Sequence, residues 1–257
     1  MLVTSSLLVA LTFLQVSTVP PAQGASIQWR LSEVARQADD LYLGRQTLGN
    51  VYKGLDILRR AVAANPQDYE AWWRISKFMC YLIRHTSEQE AERFYKDAID
   101  AGRRAVALQP NRVEGHFWLG ANLGLYAESR SVLEGLREVD NIRRELETVI
   151  QLDPDYEQAS GLRTLARVYY EAPFFKGGDK HRSVELLEQA LRRYPDNSLT
   201  LLYLADSLWA VGRRQEARQT LERILNLCPD PTYGPELADS QGEAQKRLER
   251  GFEASNR

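Results

Sequence analysis

Histidine occurs three times in the 257 residues, cysteine twice and methionine twice. His85, His116 and His181 are scattered, and none sits in a metal-binding spacing such as His-Glu-x-x-His. The sequence carries no Gly-x-Ser-x-Gly nucleophile elbow and no Cys/His arrangement suited to covalent catalysis. Neighbouring carboxylates such as Glu88 and Glu90 fit a solvated helix face better than an acid/base pair. The sequence therefore points away from an enzyme and calls for no cofactor. Charge of one sign is also missing, since 33 basic residues nearly cancel 35 acidic ones. With no basic footprint, nucleic acid is not an expected partner.

Cys80 and Cys228 are far apart, each in an apolar helical phrase. They read as two separate buried thiols, with a disulfide left as the alternative if the chain is exported. Long apolar runs are scarce too. The stretch MLVTSSLLVALTFLQVSTVPPAQGAS has no charged side chain, an apolar run from Leu7 to Leu14, and small residues at Ala22 and Gly24. It reads as a signal peptide over residues 1–24, although the usual basic residue before the apolar run is absent. Export to a periplasm or the exterior is the expectation, with anchoring by an uncleaved N-terminal segment as the alternative. That run is short for a membrane span, and no later segment is long enough for one.

Proline, although sparse, is placed regularly. Pro66, Pro110, Pro154, Pro195 and Pro229 end five similar amphipathic phrases, spaced by 44, 44, 41 and 34 residues. Each proline cannot continue a helix and disfavours helical geometry in the residue before it. Four of these prolines are followed by a second kind of helix, with Asp or Asn near its start and aromatics beside a small residue, as in Trp118-Leu119-Gly120 and Tyr203-Leu204-Ala205.

These units resemble tetratricopeptide (TPR) repeats, helix-turn-helix pairs of about 34 residues. The copy from Asn197 to Pro229 fits without gaps through Leu204, Ala205, Gly212, Ala217, Leu221 and Ile224, and a looser first copy runs from Ala35 to Pro66. The resemblance covers residues 30–230. It implies an all-α, right-handed α-solenoid of about five helix pairs, followed by a C-terminal capping helix over residues 236–250.

Three copies exceed the repeat length, and the excess falls where the first helix of a pair meets the second: at Ile83 to Ala91, Tyr126 to Asn141 and Glu171 to Asp179. Projecting loops on a binding rim and simple helix extension both fit the first two. In the third, Gly177 and Gly178 are expected to supply unusual backbone angles and Asp179 to cap the next helix, while Phe174 and Phe175 are candidates for a pocket or partner contact. The acidic Asp179 and the missing strand exclude a phosphate-binding P-loop.

The same segment is similar to exported bacterial TPR proteins of the TRAP-transporter companion (TatT) type, which implies a cavity that receives an apolar or carboxylated solute. No lipid-attachment cysteine follows the leader, a departure from the lipoprotein members. A similar segment also occurs in TPR-like regulators of microtubule dynamics, and the export signal argues against a cytoskeletal role.

In a TPR stack the first helices of the pairs line a concave groove. This places Trp73, Lys77, Phe117, Asn122, Arg163, Arg167, Asp206 and Trp209 as candidate groove residues. Arg163 and Arg167 lie four apart and so share a helix face. The expected function is a non-enzymatic module that holds a protein partner or peptide, and a TatT-like solute carrier is the alternative.

Overall fold

The computed structural model describes residues 23–229 and 233–250. The expected leader, apart from its last two residues, lies outside them. The described residues form α1 (Gln23–Leu43), α2 (Leu48–Ala64), α3 (Tyr69–His85), α4 (Glu88–Leu108), α5 (Val113–Glu128), α6 (Val132–Leu152), α7 (Tyr156–Glu171), α8 (Lys180–Arg193), α9 (Ser198–Ala210), α10 (Arg214–Leu225) and α11 (Gly234–Arg250). A single 3-10 turn, Phe174–Lys176, interrupts the connection between α7 and α8. No strand occurs among the described residues, and none of their helices is long and apolar enough to cross a membrane.

The helices form antiparallel pairs: α1 with α2, α3 with α4, α5 with α6, α7 with α8, and α9 with α10. Each odd-numbered helix also packs against the next odd-numbered one, and each even-numbered helix against the first helix of the following pair. This is a solenoid, in which the apolar side of each pair is covered by its neighbour.

The prolines stop the even helices, and capping side chains restart the odd ones. Asp68 accepts a hydrogen bond from the Ala71 amide at the start of α3, and Asn197 accepts one from Thr200 at the start of α9. Helices in the middle of the stack are covered on more than one side. In α5 the buried residues run without a break from Gly115 to Gly120, and in α9 from Leu204 to Leu208. Where helices meet most closely the sequence has glycine. A Cβ at Gly102 of α4 would lie 3.0 Å from the Leu119 Cα of α5, and one at Gly54 would lie 2.3 Å from the buried Phe78 ring.

The first two elongated turns are helix extensions. Only Thr86 and Ser87 separate α3 from α4, and only three residues separate α5 from α6, while α4 and α6 each reach 21 residues against 12 for α10. The extra residues keep the helical period and pair with each other, so no projecting loop forms. Only the third elongated connection, residues 172–179, is a true loop.

α5 and α6 are also joined through His116. Its Nδ1 lies 2.6 Å from a Glu145 carboxylate oxygen, and its Nε2 lies 2.9 Å from the Pro110 carbonyl. With an acceptor on each side, the protonated ring is favoured, and the Glu145 bond raises its pKa above the ordinary 6.5. The resulting stabilisation is fully present below about pH 6.5 and declines as pH rises through the higher folded-state value. Urea midpoints measured between about pH 5 and 9 should show this decline, and Glu145→Gln should flatten it.

Candidate functional site

The odd-numbered helices, together with the first half of α6, wall a concave cavity of 1520 Å³. Such a volume exceeds the roughly 300–1,000 Å³ usual for a small-molecule pocket and admits an extended segment. The curvature follows from the alternation of helices, because each pair presents its first helix inward.

Five candidates read from the sequence line this cavity: Trp73 and Lys77 of α3, Phe117 of α5, and Arg163 and Arg167 of α7. Three others do not. Asn122 points between helices and is fully buried, its Nδ2 donating to the Ser76 backbone and hydroxyl oxygens and to the Trp118 carbonyl. Its position one turn beyond Trp118 turns it toward α3 rather than into the groove. Asp206 is an ion-pair hub behind the wall, 2.9 Å from Arg247 Nε and 3.1 Å from Arg167 Nη1. Trp209 is half-buried outside the cavity, near Arg214.

The loop candidates separate in the same way. Phe174 and Phe175 do not line the cavity; they are 91% and 77% exposed. Gly177 has φ +75°, a left-handed conformation that suits glycine, but Gly178 does not have a positive φ. Gly178 is required for space instead, because a Cβ there would lie 1.7 Å from the Ala172 carbonyl oxygen. Asp179 caps α8 by accepting from the Arg182 amide. The loop is held to α6 by Arg143, which donates to the Gly177 carbonyl at 2.5 Å, and by the Lys176–Asp140 pair.

Several wall residues carry no sequence signal. Glu157 accepts from Lys77 Nζ at 3.1 Å and from the Tyr233 hydroxyl at 2.9 Å. It reaches them because Glu157, Gln158 and Ala159 take left-handed angles, with φ of 46°, 56° and 58°. Such a run costs roughly 1–2 kcal/mol per residue. Its surroundings hold it: Arg163 donates to the Gln158 carbonyl, and Asn197 donates to the Gln158 side chain. Strain that brings a carboxylate into a cavity is typical of a site rather than of a plain scaffold.

The C-terminal helix closes the stack onto its beginning. Arg45, between α1 and α2 and only 2% exposed, makes a two-pronged bond to Glu236 of α11, with Nε to Oε1 at 3.1 Å and Nη2 to Oε2 at 2.5 Å. His85 of α3 lies 3.4 Å from Asp239 of the same helix. α11 therefore spans the cavity from the last pair to the first, a contact between residues 191 positions apart.

Both cysteines border the cavity, and they are unpaired. Cys80 is buried as expected, but Cys228 is exposed, because it follows the last turn of α10 instead of continuing its apolar stripe. Burial pushes the Cys80 thiol up to about 11. A thiol-reactive dye at mild alkaline pH should therefore label Cys228 rapidly in the native protein and Cys80 only after unfolding. Cys228→Ser should abolish the fast phase.

No group of three or more His, Cys, Asp or Glu side chains able to hold a metal occurs among the described residues.

Comparison with known proteins places this geometry. The family model for regulator of microtubule dynamics protein 1-3 matches residues 34–164, just over half of the chain, and a tetratricopeptide-repeat model matches residues 176–234. No curated protein matches the chain significantly. Among solved structures, a thermophilic TPR protein of Thermus thermophilus is similar with a TM-score of 0.65 at 20% identity, over 85% of this chain and 98% of that one. The pilF protein of Pseudomonas aeruginosa is similar with a TM-score of 0.53 at 18% identity, over 88% and 95% of the two chains. At these identities the structures speak for the fold alone. With its stacked helix pairs and these matches, the chain is a TPR solenoid and belongs to the regulator of microtubule dynamics protein 1-3 family.

Proposed function

We propose that the chain is a protein-interaction module that holds an extended segment of a partner in the concave cavity. The observation that carries this reading is the cavity itself: its 1520 Å³ lie along the inner helices of successive pairs, with Trp73, Phe117 and Trp118 beside Lys77, Glu157 and Arg163. Aromatic surfaces supply contact area at little entropic cost, and the flanking charges orient a peptide backbone or an acidic side chain.

A second reading, a carrier for an amphipathic solute of the TatT kind, is supported by the way α11 bridges the cavity mouth, since enclosure suits a small guest. The family name suggests microtubule-linked partners, whereas the uncharged apolar leader supports export. Locating a tagged full-length chain separates these two settings.

Selection of peptides from a random display library on the full-length protein tests the main reading. Selected peptides should lose at least tenfold in affinity on Lys77→Glu and on Trp118→Ala, and should be indifferent to Arg60→Glu on the exposed outer face. Peptides that bind all three variants equally would remove the groove from the function.

A further inference from the structure

Most charged side chains on the cavity wall have their countercharge beside them. Lys77 pairs with Glu157, Arg167 with Glu171 and Asp206, and Arg247 with Asp206 and Glu243. Three do not. Arg84 in the last turn of α3, Glu128 at the end of α5 and Arg163 in α7 all line the cavity, and among the described residues none has an opposite charge within 4.0 Å.

Arg163 is the most constrained of the three. It is 8% exposed, and its Nη1 donates only to neutral oxygens, those of the Gln158 carbonyl, Asn197 and Thr200, at 3.1–3.4 Å. Burial lowers its pKa, Arg84 lowers it further, and Tyr203, Tyr233 and Glu157 oppose the shift. Arg84 is exposed and lines the cavity, as does Tyr203. Two like charges thus share the cavity wall with Tyr203. A buried charge such as that of Arg163 is destabilising without a countercharge, so a fold keeps such a group where something else neutralises it.

The charge balance names the missing partner. Two guanidinium groups share the wall with one unpaired carboxylate, Glu128. The deficit is a single negative charge, in a cavity that also has an apolar lining, Phe117, Ala121 and Leu125 among it. We propose that Arg84, Arg163 and Tyr203 form a carboxylate-binding subsite that anchors the acidic end of the cavity's occupant. This rests on the reading of the cavity as the binding site and specifies which chemistry it selects. Arg163, held through its Nη1, supplies a preorganised fork, the exposed Arg84 a second donor, and the Tyr203 hydroxyl a third.

The test uses octanoate, a carboxylate on an apolar chain, and octanamide, its neutral counterpart, titrated into the full-length protein while the fluorescence of Trp73 and Trp118 is followed. Octanoate should bind at least tenfold more tightly than octanamide. Arg84→Gln, at a position open to the cavity, should bring octanoate down to the level of the amide, and Tyr203→Phe should weaken it several-fold. Arg163→Gln should match Arg84→Gln, with circular dichroism confirming the fold.

Equal affinity for acid and amide, no binding of octanoate, or an unchanged Arg84→Gln would each overturn the subsite. Display-selected peptides that still require Lys77 and Trp118 but ignore Arg84 would leave the groove standing without it. Loss of both sensitivities would remove the groove as well.

Discussion

Glu236→Ala is expected to release α11 from the first helix pair. The substitution takes from Arg45, which is almost wholly enclosed, the carboxylate that its fork meets on two prongs. Breaking a fully buried ion pair from one side costs about 3–5 kcal/mol. Glu236 is about one-third exposed, so water screens part of the loss and about 2 kcal/mol is the expected value. The effect should be local before it is global, because a solenoid is stabilised repeat by repeat. Hydrogen exchange of α11 amides should quicken well before that of α5. Replacing both Arg45 and Glu236 by Met should restore most of the stability, because an apolar pair needs no countercharge.

The same bridge bears on access to the cavity. With α11 in place, an extended partner has to enter past a helix tied to both ends of the stack. Glu236→Ala should therefore raise the association rate of a display-selected peptide more than it changes the dissociation rate. Unchanged association in stopped-flow measurements would show that α11 leaves the entrance open.

Gly178→Ala is expected to be the more damaging of the two glycine substitutions in the loop at 172–179. Its new methyl group would stand 1.7 Å from the Ala172 oxygen and 2.6 Å from the Ala172 carbonyl carbon, so backbone must move. The movement would disturb the Gly178 amide bond to the Pro173 carbonyl and the Asp179 amide bond to Tyr169, which together fold the loop under the end of α7. A cost of about 3 kcal/mol is expected, at the upper end for an overpacked site. In a chain of this size that lowers the melting temperature by roughly 2–4 °C per kcal/mol. Gly177→Ala should cost only about 1–2 kcal/mol, since its penalty is a left-handed angle and the group that it meets is the mobile end of Arg143. Equal melting temperatures for the two variants would contradict this assignment.

The two glycines show where reading a sequence stops. A Gly-Gly pair after an aromatic run signals a turn, but whether each glycine serves an angle or a gap depends on what lies across from it. Here that is the Ala172 carbonyl, brought back by the turn itself. The groove candidates divide for a related reason. Periodicity places Trp73, Lys77, Phe117, Arg163 and Arg167 on first helices, but the inner face of a helix is set by both neighbours. Asn122 and Asp206 lie on those same helices and turn toward an adjacent helix instead.

What was legible from the chain alone was the repeated unit: proline-ended amphipathic phrases, small residues where helices approach, and capping Asp or Asn, all of them local in sequence. A solenoid is built from such neighbours, so its architecture follows from them. The tertiary structure alone decided that two of the three long turns are helix extensions and that Glu157 turns inward on a left-handed bend. It also decided that Arg45 meets Glu236 and that Arg84 and Arg163 share a cavity without a countercharge. Those relations join residues dozens to almost two hundred positions apart, and no local pattern encodes a distance that only the curvature of the whole stack creates.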